Sequence, residues 1–168
     1  LSVCIYLQLS AQNGFITLEY DILDGMGQIN DFVYDHNNDL WVATSNGLVF
    51  IGAQESTTYT TANSNLTANE ITNLWFQDKV LYIGTISGLN YYDYNLFHIL
   101  RVNTTIETNS IKGFRFIRGE IYIITKNKIL HGFGDDWTIV NSQETILCME
   151  SYKSSLFFGT ISGLYRLN

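Results

Sequence analysis

The sequence predicts an all-β fold: a β-propeller of four-stranded antiparallel blades, with four blades present. Three observations carry that prediction. The 168 residues are 14% aromatic and 15% charged, with 13 Gly and no Pro. This composition favours strands separated by tight turns and is too aromatic and too weakly charged for a disordered chain. A nine-residue pattern recurs at residues 40–48, 81–89 and 156–164, with a degenerate copy at 121–129. The four threonines of that pattern, Thr44, Thr85, Thr125 and Thr160, are spaced by 41, 40 and 35 residues. About 40 residues holding four short strands is the length of one propeller blade.

The elements of each unit follow in order. The first strand is placed at residues 29–35, 71–77, 111–117 and 146–152, each opening on an isoleucine. A polar turn follows, such as His36-Asn37-Asn38-Asp39 or Arg118-Gly119. The second strand carries an aromatic three residues before each threonine: Trp41, Tyr82, Tyr122 and Phe157. These aromatics are expected to pack between neighbouring blades. The third strand begins at a Gly-Leu step, where Gly47, Gly88 and Gly163 are free to take positive φ. Lys128 holds that place in the third copy, where Asn127 is expected to supply the left-handed residue. The threonine hydroxyl is expected to bond backbone in the turn. The fourth strand is more variable: residues 57–60, 97–100 and 137–140. The blades are therefore placed near 29–60, 71–100, 111–140 and 146–168, within a propeller region of 12–168.

The last unit ends after its third strand, whereas residues 15–20 resemble a fourth. That N-terminal strand could complete the last blade and remove an exposed edge. Two closures are open: a small four-bladed ring or, the preferred reading, the first part of a larger propeller. An open arc would leave an apolar face, so the free chain should associate, as a homodimer or otherwise.

Residues 1–11 are apolar with small residues at their end, and read as the remnant of a secretory signal peptide cleaved after Ala11. With that leader removed, Cys148 is the only cysteine, so no internal disulfide is expected. Its apolar context, Ile146-Leu147-Cys148-Met149, suggests a packed core thiol. His36, His98 and His131 share no spacing that singles one out.

The formal charge is −7. Residues 1–78 hold nine acids and no Lys or Arg, and residues 79–168 hold all nine basic residues with seven acids. So few cations leave little for a phosphate backbone, and nucleic acid is not expected as a partner. No apolar run approaches the ~20 residues of a spanning helix. No phosphate-cradling loop, zinc-binding cysteine pair or EF-hand loop is present, and no cofactor or metal is expected. Asn65-Leu66-Thr67 and Asn103-Thr104-Thr105 match the glycosylation acceptor pattern, which matters only in a eukaryotic secretory host.

In the string from Asp35 through Leu40-Trp41-Val42-Ala43-Thr44 to Gly47-Leu48, the chain resembles the two-component regulator propeller family. The second copy matches at Asn69-Glu70-Ile71, Leu81-Tyr82-Ile83-Gly84-Thr85 and Gly88-Leu89, and Asn109-Ser110-Ile111 marks the third. The resemblance covers about residues 15–168. It implies the periplasmic sensor region of a hybrid histidine kinase, of a kind best known from gut Bacteroidetes and often linked to polysaccharide use. The partners it implies are an oligosaccharide and the remaining blades or downstream domains of a membrane-anchored receptor. It implies no chemistry in this segment itself.

The expected function is thus binding-coupled sensing, with Asn and Asp bonding sugar hydroxyls and aromatics stacking on sugar faces. Candidate ligand residues lie near the starts of the innermost strands and in connecting loops: Asn30, Asp31, Asn69, Asn73, Trp75, Asn109 and Arg115. Arg115 and Glu150 hold equivalent places in adjacent units, which fits an inter-blade ion pair. A protein–protein scaffold is the alternative. A propeller lyase or glycosidase would need convergent acids, drawn from residues such as Asp31, Asp35 and Glu150, and no spacing favours a pair.

Overall fold

In the computed structural model the described residues are 10–12, 15–17, 23–100, 111–133, 136–139 and 144–167. They form seventeen strands. Strands β1 (Ser10–Gln12) and β2 (Phe15–Thr17) make a small hairpin. The first blade is β3 (Ile29–Tyr34), β4 (Leu40–Thr44), β5 (Gly47–Ile51) and β6 (Ser56–Tyr59). The second is β7 (Ile71–Gln77), β8 (Val80–Thr85), β9 (Gly88–Tyr92) and β10 (Phe97–Leu100). The third is β11 (Gly113–Ile117), β12 (Glu120–Ile124), β13 (Ile129–Phe133) and β14 (Asp136–Ile139). The fourth has three strands, β15 (Ile146–Tyr152), β16 (Ser155–Thr160) and β17 (Gly163–Leu167). Every sheet is an antiparallel meander in chain order. Among the described residues no helix is long and apolar enough to cross a membrane.

Each sheet buries two faces, so the second strands read as apolar runs rather than alternating ones. In β4, Trp41 and Ala43 face the second blade and join Leu48, Ile71, Leu81 and Ile83 in one core. Val42, on the other face, packs with Val49, Ile51, Leu23 and Met26. The next interface gathers Leu89, Phe114, Ile121, Ile123 and Leu130, with Trp75 and Tyr82 against them. The last gathers Ile124, Ile129, Ile146 and Leu156, with Tyr122 and Met149. Trp41, Tyr82 and Tyr122 thus each pack towards the following blade, as expected. Burying one such side chain is worth about 1.5–3 kcal/mol. Trp41 is 1% exposed and lies 4.7 Å from Phe50 and 5.9 Å from Tyr59 between ring centroids.

The threonine turns form as expected. The Oγ1 hydroxyls of Thr44, Thr85 and Thr125 donate to the carbonyls of Gly47 (2.7 Å), Gly88 (3.0 Å) and Lys128 (3.3 Å), whereas Thr160 Oγ1 lies 3.5 Å from the Gly163 carbonyl and donates to Glu144 Oε2 (2.6 Å). Gly47, Gly88 and Gly163 have φ of 157°, 151° and 153°. The third turn differs from expectation. Neither Asn127 nor Lys128 takes positive φ. Thr125 instead holds the loop from both sides, its backbone N–H donating to the Lys128 carbonyl (2.9 Å) and its Oγ1 accepting from the Lys128 N–H (3.1 Å).

Two further expectations are corrected. Phe15–Thr17 pairs with Ser10–Gln12, not with β17, and residues 18–20 lie outside the described residues. A local hairpin closes at far lower loop entropy than a pairing across the whole chain. The leader assigned to residues 1–11 likewise falls mostly outside the described residues. Cys148 is exposed rather than a core thiol. A register shift between Ile146 and Cys148 turns Ile146 inward and leaves Cys148 opposite Gly159.

The inner strands pack in series: β3 on β7, β7 on β11 and β11 on β15. Among the described residues β15 and β3 make no comparable contact, so the four blades form an open arc. Both ends of it are apolar. Phe32 in β3 is 64% exposed, while its equivalents Leu74 and Phe114 are 6% and 1% exposed against the preceding blade. Leu164 in β17 is 75% exposed, on the face where a following blade would sit.

The second and third blades approach closely at Gly84 in β8. A Cβ there would lie 2.9 Å from Cβ and Cγ2 of Ile111, which is buried. Gly84→Ala should therefore lower stability by about 1–3 kcal/mol, as overpacking does. Urea unfolding would read this as a lower midpoint at constant slope; an unchanged midpoint would show that the second and third blades do not meet this tightly.

Candidate functional site

Three of the four inner strands carry a local irregularity near their starts. Register shifts fall between Ile29 and Asp31, between Ile71 and Asn73, and between Ile146 and Cys148. Each leaves one extra residue: Asn30, Thr72 and Leu147. The first two fasten their blade to the next. Asn30 Nδ2 donates to the Ile71 carbonyl (2.7 Å), and Thr72 Oγ1 donates to the Ile111 carbonyl (2.6 Å). Bulges of this kind re-aim side chains, which here places polar groups around the axis.

A cavity of about 450 Å³ results. Five of the seven sequence-predicted residues line it: Asn30, Asp31, Asn73, Trp75 and Arg115. Asn69 is elsewhere, its Oδ1 accepting from the Thr61 N–H (2.8 Å) in the connection between the first two blades. It is a loop-forming residue. Asn109 lies outside the described residues. Lys112 also lines the cavity and was missed, although it occupies in the third copy the place of Asn30 and Thr72. Comparing the copies at that one position was the signal that could have found it.

The polar groups are used unequally. Asp31 is spent on structure: Oδ1 accepts from the Phe32 N–H (2.8 Å) and Oδ2 from the Leu74 N–H of the next blade (2.9 Å). Arg115 Nη1 donates to the Phe114 carbonyl (2.7 Å), and Nη2 to the Met149 carbonyl (2.9 Å) and Glu150 Oε2 (3.3 Å). The expected Arg115–Glu150 inter-blade pair is therefore present, with Glu150 largely exposed. The Ser151 N–H, and then the Arg115 charge, hold the Glu150 carboxyl below its usual range. Asn73 Oδ1, Trp75 Nε1 and Arg115 Nε are buried and have no hydrogen-bond partner among the described residues. Three orphaned buried polar atoms on residues that line one cavity are unusual, because an unmade buried hydrogen bond costs about 1–3 kcal/mol.

Trp75 does not offer a free stacking face. Phe116 stacks on its ring at 5.9 Å, and the Arg115 guanidinium lies 5.5 Å from the ring centroid. A ligand in this cavity would meet hydrogen-bonding groups and charge rather than an open indole face.

Of the acids considered for catalysis, Asp35 lies apart from the cavity. Asp35 lies in the β3–β4 turn, where it accepts from the N–H groups of Asn37 (2.8 Å) and Asp39 (3.1 Å), Trp41 Nε1 (3.1 Å) and the Tyr94 hydroxyl (2.6 Å). Burial pushes its carboxyl up, but the four donors outweigh burial and hold it below its ordinary value. Burial and the same carboxylate push the Tyr94 phenol up, so it stays protonated. Tyr94 holds φ of 67°, a left-handed conformation that this hydroxyl contact helps to fix. Among the described residues no three or more of His, Cys, Asp and Glu gather as a metal site.

The fold is a propeller arc with a cavity at the ends of its inner strands. No protein family matches the sequence and no curated protein does. Solved structures do share the fold. The extracellular domain of one candidate hybrid two component system from B. thetaiotaomicron matches with TM-score 0.70 and 20% identity, over 84% of this chain and 23% of that one. The extracellular domain of a second such system from B. thetaiotaomicron matches with TM-score 0.72 and 18% identity, over 84% of this chain and 21% of that one. Virginiamycin B lyase from Staphylococcus aureus matches with TM-score 0.65 and 10% identity, over 86% of this chain and 56% of that one. The chain thus spans about a fifth of the length of the two sensor domains.

The Asp35 cluster gives a pH test. A carboxyl held below its ordinary 3.8 when folded stabilises the protein above that value, and the contribution is lost as pH falls through the lower folded value. Asp35→Asn should be destabilising near neutral pH, and its gap from the wild type should narrow below about pH 3.8. A gap that stays constant with pH would show that ionised Asp35 is not the acceptor.

Proposed function

We propose that this chain is a ligand-binding segment of an exported, periplasmic sensory propeller, in which a saccharide seated in the axial cavity biases the arrangement of a receptor. The observation that carries this reading is the gathering of Asn30, Asn73, Trp75, Arg115 and Lys112 around one cavity of about 450 Å³. That volume lies within the range of small-ligand sites, which use a few placed polar groups for orientation. Saccharides fit because they bring many hydroxyls, each able to donate and accept. The likeness to extracellular domains of two component systems supports the sensory role. The remaining blades and downstream domains of a parent receptor are then its partners, and the step at this site is binding without turnover.

A second reading, contact with other protein surfaces, is favoured by the apolar ends of the arc at Phe32, Tyr34 and Leu164. The same residues suit the flanking blades of a larger propeller, since their equivalents are the ones that pack blade on blade.

Calorimetry against a panel of oligosaccharides tests the proposal. Heat of binding without product is expected, and Asn73→Ala should weaken it about tenfold, the effect of one well-placed buried hydrogen bond. Product formation would overturn the non-enzymatic reading. No response to any saccharide, with a protein co-purifying instead, would favour the scaffold.

A further inference from the structure

The axial cavity sits in an acidic chain, yet its third-blade wall is cationic. Lys112 and Arg115 flank Gly113, and all three line both the large cavity and an adjoining one of about 90 Å³ at the fourth blade. Residues 1–78, which supply Asn30, Asp31, Asn73 and Trp75, hold no Lys or Arg.

The two cations depart from the repeat. At the position of Lys112, Asn30 and Thr72 each donate to the first isoleucine carbonyl of the next blade. Lys112 makes no such bond, and its ammonium has no partner among the described residues. At the position of Arg115 the preceding copies have Val33 and Trp75. Gly113 replaces the Asp31 and Asn73 of the earlier copies, and a Cβ there would meet only Met149 Cε, at 3.7 Å.

The nearby anions are Asp31, which also lines the cavity, and Glu150, and neither carboxylate contacts Lys112 among the described residues. Asp31 directs one carboxylate oxygen to each of two backbone N–H groups. Glu150 pairs with a single Arg115 nitrogen, at 3.3 Å, from an exposed position. Arg115 Nε remains buried and unpaired beside the cavity. A guanidinium fixed by its acceptors and an unpaired ammonium three residues away on the same cavity wall can share an oxyanion.

Resting on the axial cavity as the ligand site, we infer that the ligand is an acidic saccharide whose carboxylate or sulfate group is held between Lys112 and Arg115. Hydroxyls of the same ligand reach Asn30 and Asn73.

The test uses the whole chain, labelled with nitrogen-15, and titrates glucuronate, glucose 6-sulfate and glucose while the indole N–H resonances are followed. Glucuronate or glucose 6-sulfate should shift the Trp75 indole signal, assigned by its loss in Trp75→Phe, at concentrations where glucose does not. Which of the two binds tighter separates carboxylate from sulfate. Lys112→Gln should weaken anion binding on the order of tenfold, as loss of a charge-assisted contact does, whereas Lys153→Gln, in the β15–β16 turn, should leave it unchanged. Raising NaCl from roughly 0.05 to 0.5 M should weaken it further through screening. Glucose binding as well as the acidic sugars, with Lys112→Gln silent, would overturn the anionic inference and leave the cavity in place. No Trp75 shift with any of the three would overturn the cavity as the ligand site.

Discussion

Every sheet in this molecule must cover two apolar faces, and the rest of the structure follows from that constraint. A lone four-stranded meander cannot do so, because each of its second strands is hydrophobic on both sides. Trp41, Tyr82 and Tyr122 therefore point at the following blade, and Leu74, Phe114 and Met149 back at the preceding one. Stability is consequently a property of interfaces between units rather than of units. The same geometry explains why one second-strand position is glycine: in the second blade Ile111 of the next blade occupies the volume a Cβ at Gly84 would need.

The axial polar groups are a consequence of this packing. Inner strands that approach one another leave backbone carbonyls without sheet partners at their first residues, and the extra residue at each bulge answers that need. Asn30 and Thr72 do so directly, and Asp31 ties two adjacent strands through backbone N–H groups. Asn73 and Lys112, whose side chains make no such fastening bond, line the same region. Structural and binding roles therefore share one strand end, and a departure from the repeat there is informative in a way that a departure elsewhere is not.

The repeat was legible because turn chemistry and interface packing leave fixed residues at fixed spacing. The threonine hydroxyl needs its carbonyl three residues on, and the aromatic needs the next blade; both are local rules repeated in each copy. Five of the seven candidate site residues could be found for the same reason, since position within the unit sets distance from the axis. Contacts between units with no counterpart in other copies were not legible. Tyr94 reaches from the β9–β10 loop to Asp35, 59 residues earlier, and Asn90 is fully buried tying the connection between blades to the second sheet. Nothing in the spacing announces either. The exposure of Cys148 escaped for a third reason: an apolar context implies burial only when another blade covers that face, and here none of the described residues does.

The open ends and the axial cavity are linked by this arrangement. A ligand at the inner strands touches the first, second and third blades at once, through Asn30, Asn73 and Lys112. The interfaces it spans are the ones that hold the arc together, so ligand binding and blade packing depend on the same strand positions. A molecule drawing Lys112 and Asn30 towards a common group would favour one relative setting of the blades over another. Differential affinity for two settings is what a ligand must have to act as a signal.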